Sequence, residues 1–547
     1  MIFISDDRDG VETLCMTVCG RERRLRENRS TVLRRYASRS GRADAKRATA
    51  ECAEDELAST GGADVSRRRQ WLTVAAVLSV YAVGFFAFYP GVLTVSDEAR
   101  YVRQAVAFAN GSVDVLRPDA TGALVREQPS SYPPGTSLLM APFVLAFGHQ
   151  GAFLVSLLAL VLTVVFTGLW LEATGKPPWF SLLVLTYPPA LILGRVAMSD
   201  VPSAALMAGT LLGFYRGVLA VAPGQRTSLW LAAGLLAGAS SLLRESNPLI
   251  ALPFFAGAVL RRDAGAWALV TGGAAGLGLR ALAAWLVFGD PFHHKPPGAG
   301  FSAEILLQQL PLYVAAALVL VPGGLACALA YRGPRRPELI WACTLFLGFY
   351  ASFGYSGSTY TGAASGPWKG SVLTLRFLLP LVPLLAFAVG SVLAPKLHGH
   401  GLDRRAGLMR GYAALTALAA LATHAGMERW SASQRSIRDA IYARTEPGAI
   451  LATNRSATDK FIHELYGERV VIDLAVLASE ARAPWLDPNR PLYIVLLERD
   501  DSELWRGRTA RDRLQLQAIA SRHHVDRIFD ARLGNTDRLR IWKLARE

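Results

Sequence analysis

The chain has 547 residues, 52% of them hydrophobic and 18% charged, and a mean hydropathy of +0.27. That balance is too apolar for a soluble domain. A formal charge of +15 would suggest a polyanion partner in a soluble protein, but here much of the Arg and Lys sits in short loops between apolar runs; such a bias orients membrane helices and requires no nucleic acid.

Residues 1–70 carry no signal-peptide core, since MIFIS is too short and the stretch from Arg21 to Arg47 is polar and Arg-rich. They read as a cytoplasmic, mostly disordered tail, or as an over-long start. Cys15, Cys19 and Cys52 lie in this tail, and Cys327 and Cys343 lie in apolar segments. That distribution offers neither a disulfide framework nor a zinc ribbon.

From SRRRQW onward, apolar runs such as WLTVAAVLSVYAVGFFAFYPGVL are long enough to cross the ~30 Å of bilayer hydrocarbon. Eleven helices are predicted, at about 71–93, 150–172, 178–194, 201–219, 228–243, 247–260, 265–288, 305–331, 338–354, 371–393 and 406–425. Alternate loops then carry Lys176, Arg226, Arg261, Arg262, Arg332, Arg335, Arg336, Lys396, Arg404 and Arg405 on the cytoplasmic side with the starting arginines. The fold class is an α-helical polytopic membrane bundle over 71–425, with a large outer loop at 96–149. An odd number of spans puts residues 426–547 outside the cytoplasm. There the pattern changes: GAILATN, ERVVIDLA, PLYIVLLE and DRLRIWKL read as strands, while SATDKFIHELYG and ARDRLQLQAIASR read as helices, giving a small α/β domain.

The outer loops hold most of the residues that could carry chemistry. Asp97 and Glu98 open SDEARYVRQAVAFAN, which reads as an amphipathic surface helix. Either Ser96 caps it and two acids favour its positive end, or one carboxylate deprotonates an acceptor hydroxyl or holds a cation. SSYPPGTSLLMAPF, with Tyr132, turns the chain back towards the membrane as a re-entrant or interfacial element lining a groove. Arg195 and Asp200 lie at the next hairpin, where Ser199 or Asp200 suits a helix cap and Pro202 its first turn. Arg244 and Glu245 precede Asn247 and Pro248 and are able to pair with each other, an exposed interaction worth only ~0–1 kcal/mol. Arg280 and Arg376 lie inside apolar runs near their outer ends, where each either snorkels or meets a phosphate. Lys369 sits in GPWKG, and His293 and His294 in GDPFHHK, without metal-ligand spacing. Gly272 and Gly276 form a GxxxG inside a helix, which indicates close helix packing and not a nucleotide loop.

In this order, VSDEARYVRQA, SSYPPGTSLLMAP, YPPALILGRVAMSDVPSA, LAGASSLLRESNPLIALP and LRFLLPLVPLL resemble the GT-C superfamily of membrane glycosyltransferases, above all protein O-mannosyltransferases and lipid A aminoarabinose transferases. The likeness runs from about residue 70 to 547. It implies a hexosyl- or pentosyltransferase that moves a sugar from a polyprenyl-phosphate donor to an envelope glycan, lipid or protein at the outer face of the cytoplasmic membrane, with inversion. It makes Asp97 the catalytic base or metal-associated carboxylate, with Glu98 beside it, and leaves a divalent metal ion open as cofactor. Arg376, then Arg280 and Lys369, would hold the lipid phosphate. Tyr132, Arg195, Asp200, Arg244, Glu245, His293 and His294 would line the site. No oligosaccharyltransferase acceptor hallmark is present. A transporter or lipid flippase is the rival reading; it would place ionisable residues near the midplane or show internal repeats.

Overall fold

The apolar runs fold as helices in the predicted order, and their breaks fall at prolines and glycines. The computed structural model describes residues 66–118, 124–294, 300–354, 375–398, 402–454, 469–479, 489–499, 503–533 and 537–545. Two compact units are present, Met1–Trp71 and Leu72–Glu547. The first is described only from residue 66, the opening of helix α1 (Ser66–Ala87). The second holds everything that follows.

After α1 come α2 (Ser96–Ala109), the antiparallel pair β1 (Val115–Pro118) and β2 (Leu124–Glu127), α3 (Gly135–Phe147) and α4 (Ala152–Ala173). The segment predicted as one helix at 178–194 is broken into a 3-10 turn, α5 (Leu183–Thr186) and α6 (Pro188–Leu193). The cause is Pro188, which pushes Tyr187 out of the helical region (ψ 106°). Then follow α7 (Asp200–Leu219), α8 (Pro223–Ala239), α9 (Pro248–Leu260), α10 (Ala266–Phe288), β3 (Gly300–Phe301), α11 (Ala303–Val319), α12 (Gly324–Ala330), α13 (Arg336–Ser352) and β4 (Phe353–Gly354). The predicted helix at 305–331 is thus two helices bent by 85°, separated at Pro322 and at Gly323, whose φ is +72°. A 3-10 turn, Arg376–Leu381, leads into α14 (Val382–His398), and α15 (Leu402–Tyr442) runs unbroken for 41 residues.

Each of the eleven predicted segments overlaps helical structure. By length and composition five helical stretches among the described residues are able to cross a membrane, or six if the bent α11–α12 pair is one span. Close packing of α8 on α10 depends on glycine. A Cβ on Gly276 would lie 2.5 Å from Ala239 N and Leu235 O, and one on Gly234, Gly238 or Gly272 would collide with the facing backbone. The GxxxG is therefore a helix contact.

Beyond α15 the chain forms a five-stranded sheet in the order β6 (Val470–Asp473), β5 (Ile450–Thr453), β7 (Leu492–Arg499), β9 (Asp537–Leu544), β8 (Val525–Leu533). The first three strands are parallel and the last two antiparallel. One face packs on Ile437 and Ile441 of α15. The other buries Leu474 and Leu477 of α16 (Leu474–Ser479) and Ile519 of α17 (Glu503–Ala520). The predicted helix SATDKFIHELYG lies outside the described residues.

Candidate active site

Asp97 sits in the first turn of α2, whose buried side chains Ala99, Tyr101, Val102 and Ala105 fix that helix in the molecule. Tyr132 arrives on the turn before α3, where Ser130 Oγ accepts from its backbone N–H at 3.0 Å. Arg376 arrives on the 3-10 turn ahead of α14. These three meet. Tyr132 Oη donates to Asp97 Oδ1 at 2.9 Å, and Arg376 Nη2 donates to Asp97 Oδ2 at 3.0 Å. The side chains are only 9% (Arg376) and 15% (Asp97) exposed, so water screens the ion pair weakly. Arg376 therefore does not snorkel; an anion from the first loop meets it.

A second acid–arginine pair lies alongside. Arg244 Nη2 donates to Asp200 Oδ1 at 2.6 Å, and Asp200 is fully buried. Asp200 Oδ2 is also buried and has no hydrogen-bond partner among the described residues. Ser199 links this pair to α2, because its Oγ accepts from Tyr101 Oη and from Arg244 Nε, each at 3.2 Å. The two guanidiniums share the ring of Phe377, with Arg244 4.9 Å and Arg376 5.0 Å from its centroid. Tyr350 stacks on that ring at 5.0 Å.

Glu98 has a different role from its neighbour. It is 0% exposed, and its carboxylate accepts from Thr94 N (2.6 Å), Thr94 Oγ1 (2.9 Å), Val95 N (2.9 Å) and Ala197 N (2.8 Å). Burial pushes its pKa up to about 7, against the pull of the Thr94, Ala197 and Val95 hydrogen bonds. The helix is capped by Glu98 reaching back to the backbone N–H of Val95 at the N-cap position; the Ser96 side chain lies outside the described residues. Glu98 ties α2 to the α6–α7 connection, and its full burial closes it off from solvent.

The other predicted positions divide. Glu245 does not pair with Arg244 but accepts from Arg280 Nη2 at 2.6 Å. Arg280 also donates to the carbonyls of Pro291 (2.7 Å) and His293, which holds the 289–293 loop. His293 stacks on Phe288 at 3.8 Å and its Nε2 lies 3.4 Å from Ser131 O, beside the turn that carries Tyr132. His294 stays exposed. Arg195 is buried but committed elsewhere, to His424 Nδ1 and Phe88 O. Lys369 lies outside the described residues. Around Asp97 the described side chains do not make a metal-ligand set: Glu98 is fully buried and accepts four hydrogen bonds, Asp200 is held by Arg244, and no cluster of three His, Cys, Asp or Glu exists among the described residues. Sequence reasoning missed Tyr101 and Phe377 and read Ser199 only as a helix cap. Tyr101 was visible in principle, being four residues after Asp97 on one helix face.

The chain superposes on ArnT from Cupriavidus metallidurans in the apo state, with a TM-score of 0.57 at 15% identity, covering 89% of this chain and 98% of that one. The same protein bound to undecaprenyl phosphate gives 0.56 at 15% identity, covering 86% and 97%. This chain has the fold of ArnT. No protein-family model matches it, and no curated protein matches it. Fold does not carry chemistry by itself, so the function rests on the side chains around Asp97.

Proposed function

We propose that the chain transfers a sugar from a polyprenyl-phosphate donor to an envelope glycan, lipid or protein, as a hexosyl- or pentosyltransferase at the outer face of the cytoplasmic membrane. The observation that carries this reading is the weakly exposed Asp97–Arg376 pair, placed within the fold of a protein that binds undecaprenyl phosphate.

A donor phosphate and Asp97 compete for one guanidinium. Phosphate offers several acceptor oxygens to the arginine fork, so donor binding draws Arg376 from Asp97 Oδ2 and leaves that oxygen to accept from an acceptor hydroxyl. The hydroxyl oxygen attacks the anomeric carbon on the face opposite the phosphate. As the new C–O bond forms, the bond from the anomeric carbon to the phosphate oxygen breaks, and its electron pair leaves on the phosphate beside Arg376. The hydroxyl proton passes to Asp97, and the anomeric centre inverts. Tyr132 orients Asp97 through Oδ1, while Asp200 Oδ2, buried and without a partner among the described residues, would accept from a second hydroxyl. Arg280 and Lys369 are secondary candidates for the phosphate.

In the membrane, we place eleven spans in 71–425, the 1–70 tail in the cytoplasm and 426–547 outside, because eleven spans put the Lys- and Arg-rich loops on one side with the starting arginines. At 1.5 Å per residue α15 is ~60 Å long, about twice the hydrocarbon thickness, so it is able to cross and then carry the sheet clear of the surface. The direct test is incubation of purified protein in lipid with radiolabelled polyprenyl-phosphate sugars and an envelope extract. Label should move to an envelope acceptor; failure with every donor overturns the reading.

A further inference from the structure

A second polar site lies at the opposite end of the bundle. The ends of α4, α7 and α12 and the later turns of α14 enclose a cavity of about 430 Å³, lined among others by Lys176, Tyr215, Arg332, Phe387 and Ser391. α7 connects the two regions: it begins at Asp200 and reaches the cavity wall at Leu219, ~30 Å away at 1.5 Å per residue. The cavity is therefore separated from the Asp97 cluster by about a bilayer's thickness.

Its lining is divided in character. Lys176 and Arg332 bring two cations, and neither has an ion-pair partner among the described residues. The neighbouring acid Glu338 is already held by Arg261 and Arg335. Ser391 is 9% exposed, and its buried Oγ has no hydrogen-bond partner among the described residues. An unsatisfied buried hydroxyl is unfavourable unless something fills its place. The remaining wall is apolar, with Phe387, Val218 and Val392, and Leu219 at its edge is 52% exposed. A free phosphate ion would occupy only a fraction of this volume, since one water takes ~30 Å³, and it would leave the apolar wall uncovered.

We propose that this cavity binds an anionic phospholipid, with the headgroup phosphate between Lys176 and Arg332, the Ser391 hydroxyl donating to a headgroup oxygen, and an acyl chain leaving past Leu219. On the topology above, the lipid belongs to the inner leaflet. The inference does not depend on the sugar-transfer reading, because it uses none of the residues around Asp97.

Full-length protein in detergent micelles would be titrated calorimetrically with dioctanoyl phosphatidylglycerol, dioctanoyl phosphatidylcholine and inorganic phosphate. The phosphatidylglycerol should bind, phosphatidylcholine should bind far more weakly, and inorganic phosphate should not displace the lipid. Lys176→Gln with Arg332→Gln should weaken phosphatidylglycerol binding by about tenfold or more, the scale of two cations near an anionic lipid, and Ser391→Leu should block binding by filling the space. Arg376→Ala should leave this affinity unchanged. Unaltered phosphatidylglycerol affinity in a folded double variant, equal affinity for phosphatidylcholine, or displacement by inorganic phosphate at the lipid's own concentration would overturn the proposal. Should the double variant lose its melting transition, Lys176→Gln alone, at a half-buried loop position, gives the same decision.

Discussion

Asp97 and Arg376 stand 279 residues apart in the chain, yet their side chains meet at 3.0 Å. The contact closes the start of α2 onto the 3-10 turn ahead of α14 and joins the two groups to which the proposed sugar transfer assigns the base and the phosphate site. Separating their contributions requires both single variants and the double variant.

Asp97 and Arg376 should be energetically coupled in the ligand-free protein. In a double-mutant cycle of Asp97→Asn and Arg376→Ala, read by thermal unfolding, the coupling should fall within the ~0.5–3 kcal/mol seen for contacting groups. Additive effects would mean the pair holds nothing together.

Arg376→Lys should keep the charge but lose the two-pronged geometry, weakening polyprenyl-phosphate binding; Arg376→Ala should weaken it further. Lipid-competition binding in nanodiscs reads this directly. Unchanged affinity in both variants would return the phosphate site to Arg280 or Lys369.

Glu98→Gln should act on stability. The amide would turn an NH₂ group towards N–H donors that now point at a carboxylate, and leaving such buried donors unpaired costs ~1–3 kcal/mol. A lowered melting temperature with catalysis retained at permissive temperature is the expected outcome, and loss of catalysis at unchanged stability would assign Glu98 a chemical role.

Much of this layout was legible in the sequence, and the exceptions have physical causes. Apolar runs located helical structure within each of the eleven predicted segments, because length and composition act locally, but not the breaks at Pro188 and at Pro322 and Gly323 that divide two of them. Ion pairing was not legible: Arg244 and Glu245 are neighbours in sequence, but one faces Asp200 and the other Arg280, choices made by tertiary packing. The strand Val525–Leu533 was missed because Asp526, Arg527, Asp530 and Arg532 dilute its apolar signal on an edge strand with no fully buried residue. Glu98, adjacent to Asp97, looked like its partner; burial and four hydrogen bonds make it a tether.

Orientation can be checked at Asp526, whose side chain is 63% exposed on the terminal sheet. With the five native cysteines replaced by serine, an Asp526→Cys variant should react with an impermeant thiol reagent added to intact cells. Labelling only after permeabilisation would reverse the topology.

The most direct measurement of the central claim is label transfer from a radiolabelled polyprenyl-phosphate sugar, run side by side on the wild type and on Asp97→Asn in lipid. The wild type should transfer label, and the variant, of matched fold and membrane insertion, should be slower by the ~10²–10⁴-fold that a positioned base contributes. Equal rates in the two proteins would contradict the account, because the carboxylate that Arg376 and Tyr132 hold in place would then have no part in the reaction.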